Sequence, residues 1–238
     1  MSNTYFQFKQ FTIHQDSCAM KVCTDACMLG AWFAEKVPQY ATILDIGSGT
    51  GLLMMMLAQK SKAHIHGIEL DLPCFKQLKE NISQNNWKER LKIFPGDVRS
   101  FAFPHKYEFI ITNPPFFEDG LGSKTEEEKL AKHSQELSLR ELIEVIGVHL
   151  CEHGAFGVLL PFERWEYFNR LSEEKHFYLR EKLFVKHCPG RHFSRAILHY
   201  SRRKENYIPA FEMSIHKNEN APYTEEFIEL LKDYYLYL

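Results

Sequence analysis

From Thr42 to about Tyr200, short apolar runs alternate with helical stretches, and this alternation constrains the fold more than any other feature. Thr42–Ile46, His64–Leu70, Leu91–Phe94, Tyr107–Thr112 and Ala155–Leu160 predict strands, with Leu183–His187 and Arg195–Tyr200 following. Leu52–Lys60, Leu72–Asn86, Ser138–Leu150 and Glu163–Lys175 predict helices between them. A parallel strand pair needs a crossover, and a crossover helix buries its apolar stripe back against the sheet. The expected architecture is therefore α/β. It has a mostly parallel, seven-stranded Rossmann-like sheet with helices on both faces.

Ahead of this core, Phe6, Phe8, Phe11 and Ile13 alternate with polar neighbours and predict one or two strands. Those aromatics suit a core or cap better than a base-stacking platform. Asp25–Lys36 predicts a helix capped by Thr24 or Asp25, and Thr224–Tyr235 a last helix. We expect one domain over 1–238, with 1–40 as a small N-terminal cap or extension and 41–238 as the Rossmann-like core. Residues 117–137 are one long, charged, irregular stretch, and a loop of that length is usually functional or disordered. No apolar run spans a bilayer and no signal-peptide core precedes the first strand, so a cytoplasmic protein is expected. The cysteines Cys18, Cys23, Cys27, Cys74, Cys151 and Cys188 form no Cys-x-x-Cys pair, so reduced thiols and no metal site are expected.

Chemistry concentrates at two strand ends. Leu44-Asp45-Ile46-Gly47-Ser48-Gly49-Thr50-Gly51 turns from a strand into a helix. Glycine allows the turn and close approach of a ligand, and the helix start offers free N–H groups. A dinucleotide fingerprint would place a third glycine where this chain has Leu52. Asp45 lies inside the strand, where a carboxylate suits an amino group or a sulfonium better than a pyrophosphate. This favours S-adenosyl-L-methionine as the ligand, with Gly47, Ser48, Gly49 and Gly51 around it. Glu69, 22 residues after Gly47, ends the next strand where an acid accepts from ribose hydroxyls. Asp97 ends the third and could accept from an adenine amine, while the Val98 N–H donates to a ring nitrogen.

The second strand end is Thr112-Asn113-Pro114-Pro115-Phe116. An exocyclic amine on a heteroaromatic ring is a poor nucleophile, because its lone pair is delocalised. Accepting both of its N–H bonds steers the nitrogen toward a pyramidal shape and frees that pair. The Asn113 side-chain oxygen and the Pro114 carbonyl are suitable acceptors, and proline stiffens the turn. Phe116 offers a face for stacking, worth roughly 1–3 kcal/mol. Positioning and electrostatics would carry the rate, with no metal required.

These motifs resemble those of class I adenosylmethionine-dependent methyltransferases of the Asn-Pro-Pro-Tyr/Phe group. That group includes adenine-N6 enzymes, ribosomal guanine-N2 enzymes and glutamine-N5 protein enzymes. Phe6-Gln7-Phe8-Lys9-Gln10-Phe11, Met20-Lys21-Val22-Cys23-Thr24-Asp25 and Leu29-Gly30-Ala31-Trp32 narrow the resemblance. They look like the bacterial family that methylates adenine 37 of valine tRNA at N6. The resemblance implies a class I methyltransferase fold, and cofactor contacts from the segment holding Lys21 and Thr24. By themselves, Lys21 and Asp25 could equally form a surface ion pair or a cap.

The net charge of −2 excludes a protein that coats nucleic acid everywhere, but not a local basic face. Lys182, Lys186, Arg191, Arg195, Arg202, Arg203 and Lys204 lie in one stretch without Asp or Glu. Arg191-His192-Phe193 mixes a cation with aromatics, which suits unpaired bases. A tRNA partner is expected, with no membrane, and the protein as a monomer or weak homodimer. A basic edge strand is the plainer alternative. Still open are a guanine-N2 rRNA or glutamine-N5 protein methyltransferase, a nicotinamide-dependent oxidoreductase, and a non-catalytic nucleoside-binding protein.

Overall fold

The computed structural model describes residues 3–115 and 137–238. Strands β1 (Tyr5–Gln7) and β2 (Thr12–His14) form an antiparallel hairpin. Helix α1 (Thr24–Ala34) leads into the alternating core: β3 (Thr42–Ile46), α2 (Leu52–Lys60), β4 (His64–Glu69), α3 (Leu72–Ser83), β5 (Leu91–Pro95) and β6 (Tyr107–Thr112). After the segment 116–136 come α4 (Leu139–His149), β7 (Leu150–Pro161), α5 (Trp165–Glu174), β8 (Tyr178–Lys186) and β9 (Phe193–Ser201). Strand β10 (Ala210–Ser214) and helix α6 (Glu225–Leu231) close the chain.

The main sheet has the order β5-β4-β3-β6-β7-β9-β8-β10. The pairs from β5 through β7 are parallel, β9 runs antiparallel to both neighbours, and β10 pairs parallel with β8. The sheet is thus mostly parallel, but eight-stranded rather than seven-stranded. The added strand is β10, whose first three residues are exposed on the outer edge, so it carries little apolar alternation.

Alternation within β3 explains the two cores. Ile43 packs with α1, α2, α3, α6 and the N-terminal hairpin, whereas Leu44 and Ile46 face α4 and α5. The stretch Leu52-Leu53-Met54-Met55-Met56-Leu57 is buried throughout, because α2 lies between the sheet and its helical neighbours. Phe8 stacks on Phe11, and Phe11 meets Trp87 edge-on, so the hairpin aromatics belong to the core.

Two further expectations change. Helix α1 starts at Thr24 with Cys23 in the capping position and no side-chain cap, so neither Thr24 nor Asp25 caps it. Cys18 and Cys74 are joined as a disulfide, with Cα atoms 4.6 Å apart across 56 residues of sequence. The reduced-thiol expectation fails for this pair, because the 15–23 segment folds back onto the first turn of α3. Cys23, Cys27, Cys151 and Cys188 are free.

Among the described residues, no helix is long and apolar enough to cross a membrane. None of their His, Cys, Asp and Glu side chains gather into a group of three that could hold a metal ion.

Candidate active site

The chain builds β3, β4 and β5 outward in one direction, then returns to place β6 on the other side of β3. In open α/β sheets such a reversal leaves a crevice beyond the carboxyl ends of the two flanking strands. The register sets Ile46 opposite Thr112, and the Thr112 hydroxyl donates to the Ile46 carbonyl at 2.9 Å. The next residue on each strand is therefore Gly47 on one side and Asn113 on the other. The glycine turn and the Asn-Pro-Pro turn meet at the mouth of the crevice.

The glycine turn is held from below. The Gly47 and Ser48 N–H groups donate to the Ile68 carbonyl at 3.0 Å each. Gly51 takes φ 87° as the residue preceding α2, and a Cβ there would lie 2.6 Å from Leu78. No other residue meets both conditions without strain. Over Gly47 and Gly49, by contrast, an added Cβ would meet little or nothing within 4 Å. The turn is tight against the protein on one side and open to a ligand on the other.

Glu69 straddles the crevice edge. One carboxylate oxygen accepts from the Gly49 N–H at 2.8 Å and the other from the Asp71 N–H at 2.9 Å. Asp45 is wholly buried, and neither of its carboxylate oxygens has a hydrogen-bond partner. Burial, with the Glu69 charge nearby, pushes its pKa up to about 8. An unpartnered buried carboxylate is costly unless a cationic or donor group comes to it.

Asp97 is differently engaged. Arg99 grips it with side-chain bonds at 2.6–3.0 Å and a backbone N–H at 2.9 Å, and these hold its carboxyl below the usual range. Arg99 also reaches Glu141, the capping-box residue of α4, at 3.3 Å. Val98 is buried with Ile46 and Ile68 under the same rim. Lys21 and Thr24 are half-buried at the end of the 15–23 segment and the start of α1.

On the opposite wall, Asn113 is half-buried and Pro114 buried. The Asn113 side-chain oxygen is buried without a partner, while its amide nitrogen donates to the Met20 sulfur at 3.6 Å. Phe116 lies outside the described residues, as does 117–136 of the long charged stretch.

Two side chains that the sequence did not mark tie the N-terminal region to this site. Asn81 on α3 accepts from the His14 N–H and donates to the His14 and Thr50 carbonyls, joining the hairpin to the glycine turn. Gln15 accepts from the Val22 N–H at 2.8 Å and closes the 15–22 loop. Neither belongs to a motif. Only burial of a polar residue would have pointed to them, and burial is invisible in this part of the sequence.

The seven cations of 182–204 do not form one face. Strands β8 and β9 fold back on each other, so the stretch ends point away from its middle. Lys186, Arg191 and Arg195 lie at the carboxyl end of the parallel strands, the end that carries Gly47 and Asn113. Arg202, Arg203 and Lys204 follow β9 at the far end, beside the Ala155–Ser201 pair. Lys182 sits mid-strand over the Trp165 ring. Acids from elsewhere in the chain partner several of them. Lys186 meets Glu212 at 3.1 Å, Arg195 meets Asp25 at 2.8 Å, and Arg191 pairs with Glu219. At the far end, Arg203 meets Glu205 at 3.4 Å and Arg202 lies 4.3 Å over the Phe177 ring.

Three comparisons bear on this arrangement. The methyltransferase small domain family model matches residues 27–143. The tRNA1(Val) (adenine(37)-N6)-methyltransferase of Dyadobacter fermentans is 38% identical over 237 residues, which is 98% of this chain and 98% of that one. Among solved structures, a predicted O-methyltransferase, protein Atu636 from Agrobacterium tumefaciens, gives a TM-score of 0.65 at 16% identity, covering 87% of this chain and 95% of that one. The glycopeptide N-methyltransferase MtfA complexed with (S)-adenosyl-L-methionine gives 0.56 at 10% identity, covering 75% and 87%. At such identities the two structures bear on the fold alone.

Proposed function

Because the chain belongs to the family of tRNA1(Val) (adenine(37)-N6)-methyltransferases, we propose that it methylates adenine 37 of that tRNA at N6, using S-adenosyl-L-methionine. The observation that carries this reading is the pairing of Ile46 with Thr112, which sets the glycine turn and the Asn-Pro-Pro turn side by side. The buried, partnerless oxygens of Asp45 and Asn113 fit the two ligands that such a reaction brings together.

The residues divide by role. Open space over Gly47 and Gly49, with Ser48 and Gly51 completing the turn, fits the amino-acid end of the cofactor. Asp45 answers its positive charge, Glu69 the ribose, and Asp97 with the Val98 N–H the adenine. Lys21 and Thr24 close the pocket from the N-terminal side. When bound, the cofactor supplies a methyl group on a sulfonium, a strong electrophile with a good leaving group.

The Asn113 oxygen and the Pro114 carbonyl accept the two N–H bonds of the adenine amine and expose its lone pair to the donor side. Phe116 stacks on the base. With the cofactor bound, the N6–carbon bond would form as the sulfur–carbon bond breaks, adenosylhomocysteine would leave, and the N6 proton would pass to water. Adenine 37 lies in an anticodon loop, so turning it out of its stack costs little compared with a paired base. Lys186, Arg191 and Arg195, at the same end of the sheet, meet the phosphates. We place this work in the cytoplasm, where tRNA is modified.

Asn113→Ala is expected to abolish most methyl transfer while leaving adenosylhomocysteine affinity near wild type. Transfer is measured on unmodified tRNA by nucleoside mass spectrometry, and affinity by calorimetry. Near-wild-type turnover would remove Asn113 from its role, and calorimetric binding of NADH but not adenosylhomocysteine would remove the whole reading.

A further inference from the structure

We propose that Met20 is a positioning residue, whose thioether sulfur fixes the Asn113 side-chain amide so that its oxygen, not its nitrogen, faces the acceptor amine. This rests on the adenine-N6 reading above and goes on to a residue outside its motifs.

An asparagine amide presents an oxygen on one side and an N–H₂ group on the other. The two orientations have nearly the same shape, and only their hydrogen-bond partners separate them. For amine methylation the orientation decides everything. With the nitrogen forward, two N–H groups would oppose the N–H bonds of the adenine amine. With the oxygen forward, Asn113 accepts one of them.

Met20 makes this choice. The Asn113 nitrogen lies 3.6 Å from the Met20 sulfur. A thioether sulfur has lone pairs and no proton, so it can accept from the amide nitrogen but cannot donate to the amide oxygen. Turning the amide over would bring oxygen against sulfur, lone pair against lone pair. The contact is therefore compatible with one orientation, the one that leaves the Asn113 oxygen unpartnered and free for the acceptor.

Met20 is held where it can do this. Two residues before it, Cys18 is bonded to Cys74 on α3. Two residues after it, the Val22 N–H donates to the Gln15 side chain at 2.8 Å. Gln15 is itself 4% exposed and donates to the Asn3 carbonyl. The segment is pinned on both sides of Met20. Yet Met20 remains 44% exposed. Burial of an apolar side chain is thus not what its position achieves, and substitution leaves the core intact.

The test compares wild type, Met20→Leu and Met20→Gln in the full chain, on unmodified tRNA1(Val) transcript. Leucine keeps the bulk and lacks the acceptor, whereas glutamine restores one through its carbonyl. Met20→Leu is expected to lower kcat about three- to tenfold, the loss of one modest hydrogen bond. The KM for RNA and the affinity for adenosylhomocysteine should stay within about twofold. Met20→Gln should recover most of the lost kcat. Wild-type kcat in Met20→Leu, a loss confined to KM, or a loss that Met20→Gln leaves in place would each overturn the proposal. Absence of N6-methyladenosine with the wild-type protein would instead overturn the reading on which it rests.

Discussion

At the scale of single residues, Asp45 is the side chain with most at stake. It sits in a strand interior, wholly buried, with both oxygens unpaired and its pKa pushed up by burial to about 8. In an unfolded chain it would titrate in the ordinary carboxylate range. Between the two values the folded state keeps a proton that the unfolded state has lost. Stability without ligand should therefore fall as pH rises from about 4 to about 8, and level off above. Asp45→Asn should flatten that slope, as measured by urea unfolding at about pH 5 and about pH 8. An unchanged slope would place the titrating group elsewhere. Ligand binding near pH 7 should release a proton in the wild type and not in the variant, which calorimetry in buffers of different ionisation enthalpy detects.

The sequence marked Asp45, Glu69, Asp97 and Asn113 because each lies at or near the carboxyl end of a strand, in a fixed order. It did not mark Gln15, Met20 or Asn81, whose value comes from what they touch across the fold. It was also silent on Arg99, which already grips Asp97.

Strands and helices carry a second lesson. The apolar runs of β3, α2 and β6 begin and end where their sequences predict, because each is buried and stops at a plain signal: Gly47, Lys60 and Asn113-Pro114. Strand β10 escaped because an edge strand shows one face to solvent and loses the period-two signal. The basic stretch was misleading for a related reason. Charge counted along a sequence ignores the direction of a hairpin, and β8 and β9 send its cations to opposite ends of the sheet.

The split gives a paired expectation. Arg191→Ala should weaken tRNA binding and make its salt dependence shallower by about one unit of log–log slope, the signature of one lost phosphate contact. Arg203→Ala, at the far end, should leave both unchanged. Filter binding across a salt series measures them, and equal effects would mean that the RNA does not approach from the Gly47–Asn113 end alone.

For the molecule as a whole, strand–helix alternation made the layered architecture legible, and the order of the motifs located the crevice. The disulfide was not legible, because pairing of Cys18 with Cys74 depends on a loop reversal that no periodicity encodes. It joins the N-terminal segment to α3 across 56 residues, so it restrains a large part of the unfolded chain. In the chain-entropy picture that restraint is worth up to about 4 kcal/mol. Cys74→Ser is expected to lower the unfolding free energy by a substantial part of this amount under non-reducing conditions. Excess reductant should bring the wild type to the same value. A variant as stable as the oxidised wild type would show that the cross-link does not constrain the unfolded chain.

Three contacts reach beyond the finished molecule. The Lys9 N–H donates to the Tyr234 carbonyl, Phe8 bridges to Tyr235, and the Tyr234 hydroxyl donates to the Met56 carbonyl. The hairpin aromatics and α2 are thus sealed by residues made much later, Tyr234 following Met56 by 178 positions. Until those residues have been made, this apolar surface lacks their cover, and a growing chain that exposes it is prone to aggregate.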